Sequence, residues 1–249
     1  MRSAAILRTA ALLIPALTAS LAAAAPSIPA YINAAVADRA RPAEDKQRDA
    51  DRKPAETLAF AGVKPGDTVI EIAPGKGYYT RLLSAVVGPK GKVYAVGAQP
   101  KPDAPPPPVQ AIAADPHYSN VTVSLQKIPD LKLPDGVDLV WTTQNYHDLH
   151  NIHDVDVAKV NSAFFTALKS GGTYFLLDHA AEAGSGSRDT STLHRIDEET
   201  VKQEVTAAGF KLVGESGILR NKSDPHTAKV FDPEIRGHTD QFALKFKKP

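Results

Sequence analysis

The stretch from Val69 to Thr80, VIEIAPGKGYYT, decides the fold. It opens on Val69, Ile70, Glu71 and Ile72, a mostly β-branched run preceded by the turn residues KPGDT, and reads as a strand. Gly75 and Gly77 then allow a sharp turn and a close approach of backbone to ligand. The residues that follow, YYTRLLSAVV, continue as a helix with Leu82, Leu83, Val86 and Val87 on one face. Strand, glycine turn and helix in that order offer the unpaired amides of a helix start to a carboxylate or phosphate. A plain tight turn has the same local signature, so the rest of the chain has to arbitrate.

Working outward, the same rhythm recurs. GKVYAV, NVTVSLQ, GVDLVWT and GGTYFLLDH read as four further strands, mostly separated by stretches of helical character, which implies a parallel sheet with right-handed crossovers. VAKVNSAFFTALKSGG predicts a helix stopped at Gly171, and DEETVKQEVTAAGF one that starts on acidic residues and ends at Gly209. The chain closes with two strand-like runs, FKLVGESGIL and TDQFALKFK. Upstream, PAETLAFAGV predicts a helix closing on Gly62, and RARPAEDKQRDADRKP a charged region with a solvated face. The proline run in QPKPDAPPPPVQ reads as a stiff surface crossing followed by a short helix. RNKSDPHTAKVFDPEIRGH is longer than ordinary connections and points to a lid or binding role.

The chain has 249 residues, enough for one α/β domain with a full core. With 29 basic against 28 acidic residues, no overall field argues for nucleic acid. Residues 1–25, MRSAAILRTAALLIPALTASLAAAA, set Arg2 and Arg8 ahead of an apolar run ending in small residues, the pattern of a secretory signal peptide. Pro15 interrupts that run and it is short for a span, so no stable membrane insertion is expected after cleavage, and the mature chain is expected to be periplasmic or secreted. The expected organisation is signal peptide 1–25, an N-terminal helical and polar segment 26–53, and the main domain 54–249. There is no cysteine, so stability rests on packing, and neither a disulfide nor a thiolate zinc site can form.

Glu71 with the loop that follows resembles the acidic-x-G-x-G-x-G loop of class I S-adenosylmethionine-dependent methyltransferases, and the likeness runs from about Pro54 to Lys247. More narrowly, DADRKPAE, IAPGKGYYT, NYHD, TLHRID and FDPEIRGHTDQFALKFKKP resemble a group of exported bacterial methyltransferase-like proteins. The resemblance implies an α/β, Rossmann-like methyltransferase fold: a mostly parallel seven-stranded sheet, helices on both faces and an antiparallel last strand. It implies S-adenosylmethionine as cofactor, with Glu71, Ala73, Pro74, Gly75, Lys76 and Gly77 along its methionine and ribose part and Tyr78 and Tyr79 opening the next helix. The sequence departs from the pattern twice. Ala73 replaces its first glycine, and Gly97 stands where the second strand usually ends in an acid that holds the ribose hydroxyls. Losing that charge-assisted hydrogen bond costs about 1.5 to 3 kcal/mol. The alternative reading is therefore an exported, non-catalytic methyltransferase-like binding protein.

A second constellation, WTTQNYHDLHNIHD from Trp141 to Asp154, follows the fourth strand, where the resembled fold places its methyl acceptor, here expected to be a small molecule. Methyl transfer is an in-line displacement, so the protein aligns the acceptor and removes its proton. His147 is the candidate base, with Asp148 orienting it or substituting for it. Trp141 and Tyr146 are candidates to face the sulfonium through their rings. His147, His150 and His153 recur every third residue, a spacing that raises a metal, but they do not match H-E-x-x-H and no metal is expected. Asp178 and His179 are expected at the pocket's rim, and His194 either near the pocket or at a helix cap. Arg195, Arg220, Asn221, Asp232, Arg236 and His238 bracket the long loop, as surface residues or as binders of a polar acceptor.

Overall fold

The computed structural model describes residues 27–249; the expected signal peptide lies outside them. The seven strands are β1 (Thr68–Ile72), β2 (Lys92–Ala98), β3 (Val121–Gln126), β4 (Val137–Thr143), β5 (Leu168–His179), β6 (Lys211–Ser216) and β7 (Gln241–Lys247). They form one sheet in the order β3-β2-β1-β4-β5-β7-β6. β1 to β5 pair in parallel, and β7 is antiparallel to both β5 and β6. The order reverses between β1 and β4, and in open α/β sheets such a switch point leaves a crevice beyond the carboxyl ends of the strands.

Residue alternation along the strands builds two cores. Val69, Val93, Leu139, Trp141 and Phe175 point to one face, where α1 (Ala30–Val36), α4 (Pro54–Ala61) and α5 (Tyr78–Val87) cover them. Ile70, Ile72, Val140, Tyr174 and Leu176 point to the other, against α7 (Val157–Ala167) and α8 (Glu198–Ala207). Both of these last helices are capped by an aspartate: Asp156 accepts from the amides of Ala158 and Lys159, and Asp197 from that of Glu199. The proline run leads into α6 (Val109–Ala113), which buries Val109 and Ile112.

Two expectations need correction. α7 stops at Ala167 rather than at Gly171, because Leu168 already enters the sheet beside Val137. The charged run keeps a solvated face, with Arg39, Glu44, Lys46, Arg48 and Lys53 exposed, but its other side is buried. It forms α2 (Ala43–Gln47) and α3 (Asp49–Arg52), and Arg41, 2% exposed, donates to both carboxylate oxygens of Asp49 and to the Val36 carbonyl. Asp45, also buried, accepts from Arg81 of α5 at 2.9 Å. Two charges of the run, Arg41 and Asp45, are thus buried in ion pairs. Among the described residues, no helix is long and apolar enough to cross a membrane.

Candidate active site

The carboxyl ends of β1 and β4 open on a cavity of about 330 Å³, toward the lower end of the roughly 300–1,000 Å³ usual for small-molecule sites. Glu71, Ala73, Pro74, Gly75, Lys76, Tyr78 and Tyr79 form one wall, and Thr143, Gln144, Asn145 and Asp148 the opposite one. Arg48 and Arg52 from the N-terminal helices close a third side. Gly75 has φ 56 with nothing near a would-be Cβ, and Ala73, at the position where the resembled pattern has glycine, takes φ 51. A left-handed alanine stores strain of order 1 kcal/mol, and the Ala73 amide bonded to the Val96 carbonyl at 2.8 Å helps to hold it. No side chain caps α5, and among the described residues the amides of Gly75 and Lys76 meet no hydrogen-bond acceptor.

Of the residues expected to hold the cofactor, the structure gathers Glu71, Ala73, Pro74, Gly75, Lys76 and Tyr78 on this cavity. Gly77 and Gly97 do not line it. Gly77, at φ 80, is the N-cap of α5, and a Cβ there would meet the Ile112 Cδ1 at 2.0 Å. A side chain at Gly97 would start 3.2 Å from Leu125 and 3.9 Å from Pro74.

Glu71 is the single acid in the loop wall. Burial, at 2% exposure, pushes its carboxyl up to about 7, against the opposing pull of the Thr80 hydroxyl, which donates to it at 2.6 Å, and of the Arg52 and Arg81 charges. Arg52 lies over the Tyr78 and Tyr79 rings and donates to the Gln144 side chain at 2.6 Å. Gln144 itself has φ 57 and passes a second hydrogen bond on to Gln241. The N-terminal helices, β4 and β7 therefore meet through one chain of side-chain contacts at the cavity.

Beyond Asp148 lies a cluster of histidines. His147, 3% exposed, is set by Asp178: its Nδ1 is 2.8 Å from one carboxylate oxygen, and its amide donates to the other at 2.9 Å. Burial opposes the charging of His147, but the Asp178 carboxylate outweighs it and holds the imidazole above the ordinary histidine range. Burial likewise pushes the Asp178 carboxyl up, and the His147 charge and its hydrogen bonds bring it below the usual value. On the other side of the ring, Nε2 lies 3.3 Å from Asp148, whose charge also favours the protonated imidazole. His194, at φ 57, brings its Nδ1 to 3.5 Å from the same Asp148 oxygen and sets its ring edge-on to His147. Beside them His179 is pushed down to about 4 by burial, with Nδ1 at 2.8 Å from the Thr239 hydroxyl.

Several expectations are revised here. Asp178 and His179 are not rim residues: both are buried, and Asp178 is fully enclosed beneath His147. An acid ending the otherwise apolar TYFLLDH was the available signal, since an enclosed carboxylate needs a partner. Trp141 and Tyr146 do not face the cavity. Trp141 packs between Tyr79 and Phe175 in the core, and the Tyr146 hydroxyl donates to Glu204. The three evenly spaced histidines diverge, since His150 pairs with Glu204 and His153 stands in solvent beside Asp154. Arg195 is no surface arginine: it is fully buried, bidentate to Asp224 of the long loop, and bonded to the carbonyls of Ala180 and Ala228. Arg48 and Arg52 escaped notice because charge runs give no local sign of what they will face.

No family model matches the chain. A demethylmenaquinone methyltransferase from Symbiobacterium thermophilum is 28% identical over 127 residues, which cover 49% of this chain and 47% of that protein; the chain spans about half the length of the curated relative it matches. A SAM-dependent methyltransferase from Aquifex aeolicus superposes with a TM-score of 0.59 at 19% identity, over 84% of this chain and 99% of that one. The cyclase SpnF superposes with a TM-score of 0.59 at 17% identity, over 82% of each chain. The fold is thus the seven-stranded, Rossmann-like fold of class I S-adenosylmethionine-dependent methyltransferases, a frame that a cyclase shares.

Proposed function

We propose that this protein is an S-adenosylmethionine-dependent methyltransferase acting on a small-molecule acceptor, exported by the leader at residues 1–25. The observation that carries the reading is the cavity at the β1–α5 turn, where the unpaired amides of Gly75 and Lys76 and the Glu71 carboxyl share one wall. These groups fit a ligand that carries a carboxylate and a cationic sulfur: the amides and Arg52 favour the first, Glu71 the second. When bound, S-adenosylmethionine supplies a methyl carbon on a positively charged sulfur, open to in-line displacement. On the opposite wall stands Asp148, with the Nε2 of His147 buried 3.3 Å behind it and outside the cavity lining; Asp148 takes the proton of an acceptor hydroxyl, thiol or ammonium or relays it to that ring, which Asp178 fixes. The likeness to a demethylmenaquinone methyltransferase supports a small acceptor.

Calorimetric titration with S-adenosylmethionine and S-adenosylhomocysteine tests the reading. Micromolar binding is expected for the wild type and loss of it in Gly75→Val; a wild type that binds neither compound overturns it. The lack of an acid at Gly97 favours a second reading, a binding protein without turnover. Cofactor binding without methyl transfer to any acceptor in a broad panel would select it. Export is checked by fractionating a bacterial host that expresses the full chain.

A further inference from the structure

His147, Asp148 and His194 each offer one ligand atom, and these atoms all lie within 4.8 Å of one another. Two of the separations are 3.3 Å, from His147 Nε2 to Asp148 Oδ1, and 3.5 Å, from His194 Nδ1 to the same oxygen. Ligand atoms about 2.0 to 2.1 Å from a tetrahedral zinc ion stand roughly 3.3 Å apart, so these two edges already have the length of a coordination tetrahedron. The three residues come from two segments distant in sequence, the turn after β4 and the loop before α8. We propose that His147, Asp148 and His194 bind one divalent transition-metal ion of the zinc class, with its remaining position open toward the cavity that Asp148 lines.

Two independent features support a built site. Asp178 takes the Nδ1 side of His147 and is itself enclosed, which is the carboxylate–histidine–metal arrangement that fixes the tautomer and aims the Nε2 lone pair. His194 is held at φ 57, a costly conformation for a residue with a Cβ, and that backbone turns its ring toward Asp148 while Phe231 packs against it at 4.9 Å between centroids. Two imidazoles and one carboxylate suit zinc or a neighbouring first-row metal rather than magnesium or calcium, and three protein ligands with an exchangeable fourth position are the mark of a catalytic ion. The site itself does not depend on methyl transfer. Its role does: with Nε2 and Asp148 committed to the ion, an acceptor oxygen or sulfur taken at the open position would have its pKa lowered and would release its proton to solvent rather than to the imidazole.

The full chain, stripped with chelator and without a histidine tag, is titrated with zinc chloride in a calorimeter, in the absence of any cofactor. One equivalent is expected to bind, with affinity at least tenfold weaker in His194→Ala and 10- to 100-fold weaker in Asp178→Asn, and unchanged in His153→Ala. Circular dichroism confirms folding, and His194→Ala, partly exposed, guards against a collapsed Asp178→Asn variant. No stoichiometric binding, or binding that His194→Ala leaves intact, overturns the site. Because the titration contains no S-adenosylmethionine, its failure is separate from failure of the methyltransferase reading.

Discussion

The Glu71→Gln substitution tests whether the cavity wall holds a carboxyl poised near neutrality. In the folded protein the group titrates at about 7, against 4.5 for the unconstrained side chain. Between those values the folded state holds a proton that the unfolded state has released, so stability falls as pH rises through this window. At about 1.4 kcal/mol per pKa unit, the ionisation penalty grows by roughly 2 to 3 kcal/mol between pH 5 and pH 8. Glutamine keeps an oxygen to accept from the Thr80 hydroxyl and removes the titration. Urea unfolding of wild type and variant at the two pH values is therefore expected to show the stability difference moving toward the variant by that amount on going to pH 8. A difference that does not change with pH refutes the reasoning, since it means the carboxyl is ionised throughout. The same logic gives a binding signature: a sulfonium beside Glu71 favours its charged form, so affinity rises through pH 7 and binding near that pH releases a proton.

Other outcomes follow from the same contacts. His147→Ala is expected to lower methyl-transfer turnover by about 10²- to 10⁴-fold, and the ascending limb of the wild-type pH–rate profile to lie above the ordinary histidine pKa, moving down in Asp178→Asn as the carboxylate that raises it is lost. The charge pair of His147 with Asp178 stabilises the fold below the pKa of an unfolded histidine, and that contribution is lost as pH rises through the raised folded value, a trend visible in thermal melts. Gly77→Ala puts a Cβ at φ 80 and pushes aside the Ile112 Cδ1, the movable end of its side chain, and a loss of about 1 to 2 kcal/mol, mostly backbone strain, is expected in chemical unfolding. Asp224→Asn strands the fully buried Arg195 guanidinium and is expected to cost about 3 to 5 kcal/mol, whereas a change within about 0.5 kcal/mol would show that the pair is not enclosed in solution.

Much of this architecture was legible along the chain. Strand identity followed from runs such as VIEI and YFLL, because period-two burial on both faces demands apolar, β-branched or aromatic residues at nearly every position. The turn at Gly75 and the helix after it followed from backbone sterics, and α4 from its proline start and glycine stop. Ala73 shows the limit of that logic: the loop keeps a glycine-like conformation without the glycine, since neighbouring contacts pay for the strain.

Which polar groups meet could not be read in one dimension, because pairing depends on elements brought together from far apart. Spacing grouped His147 with His150 and His153, yet the 3-10 turn after β4 sends them to Asp178, Glu204 and solvent. The partners that set His147 come from the end of β5 and, through His194, from the loop beyond it. Arg48 and Arg52 look like two charges in a solvated run until the sheet's switch point places a cavity in front of them. Local sterics and side-chain alternation were sufficient for strands, turns and helices; burial, charge pairing and ligand geometry depend on distances through space, and only the folded chain supplies those.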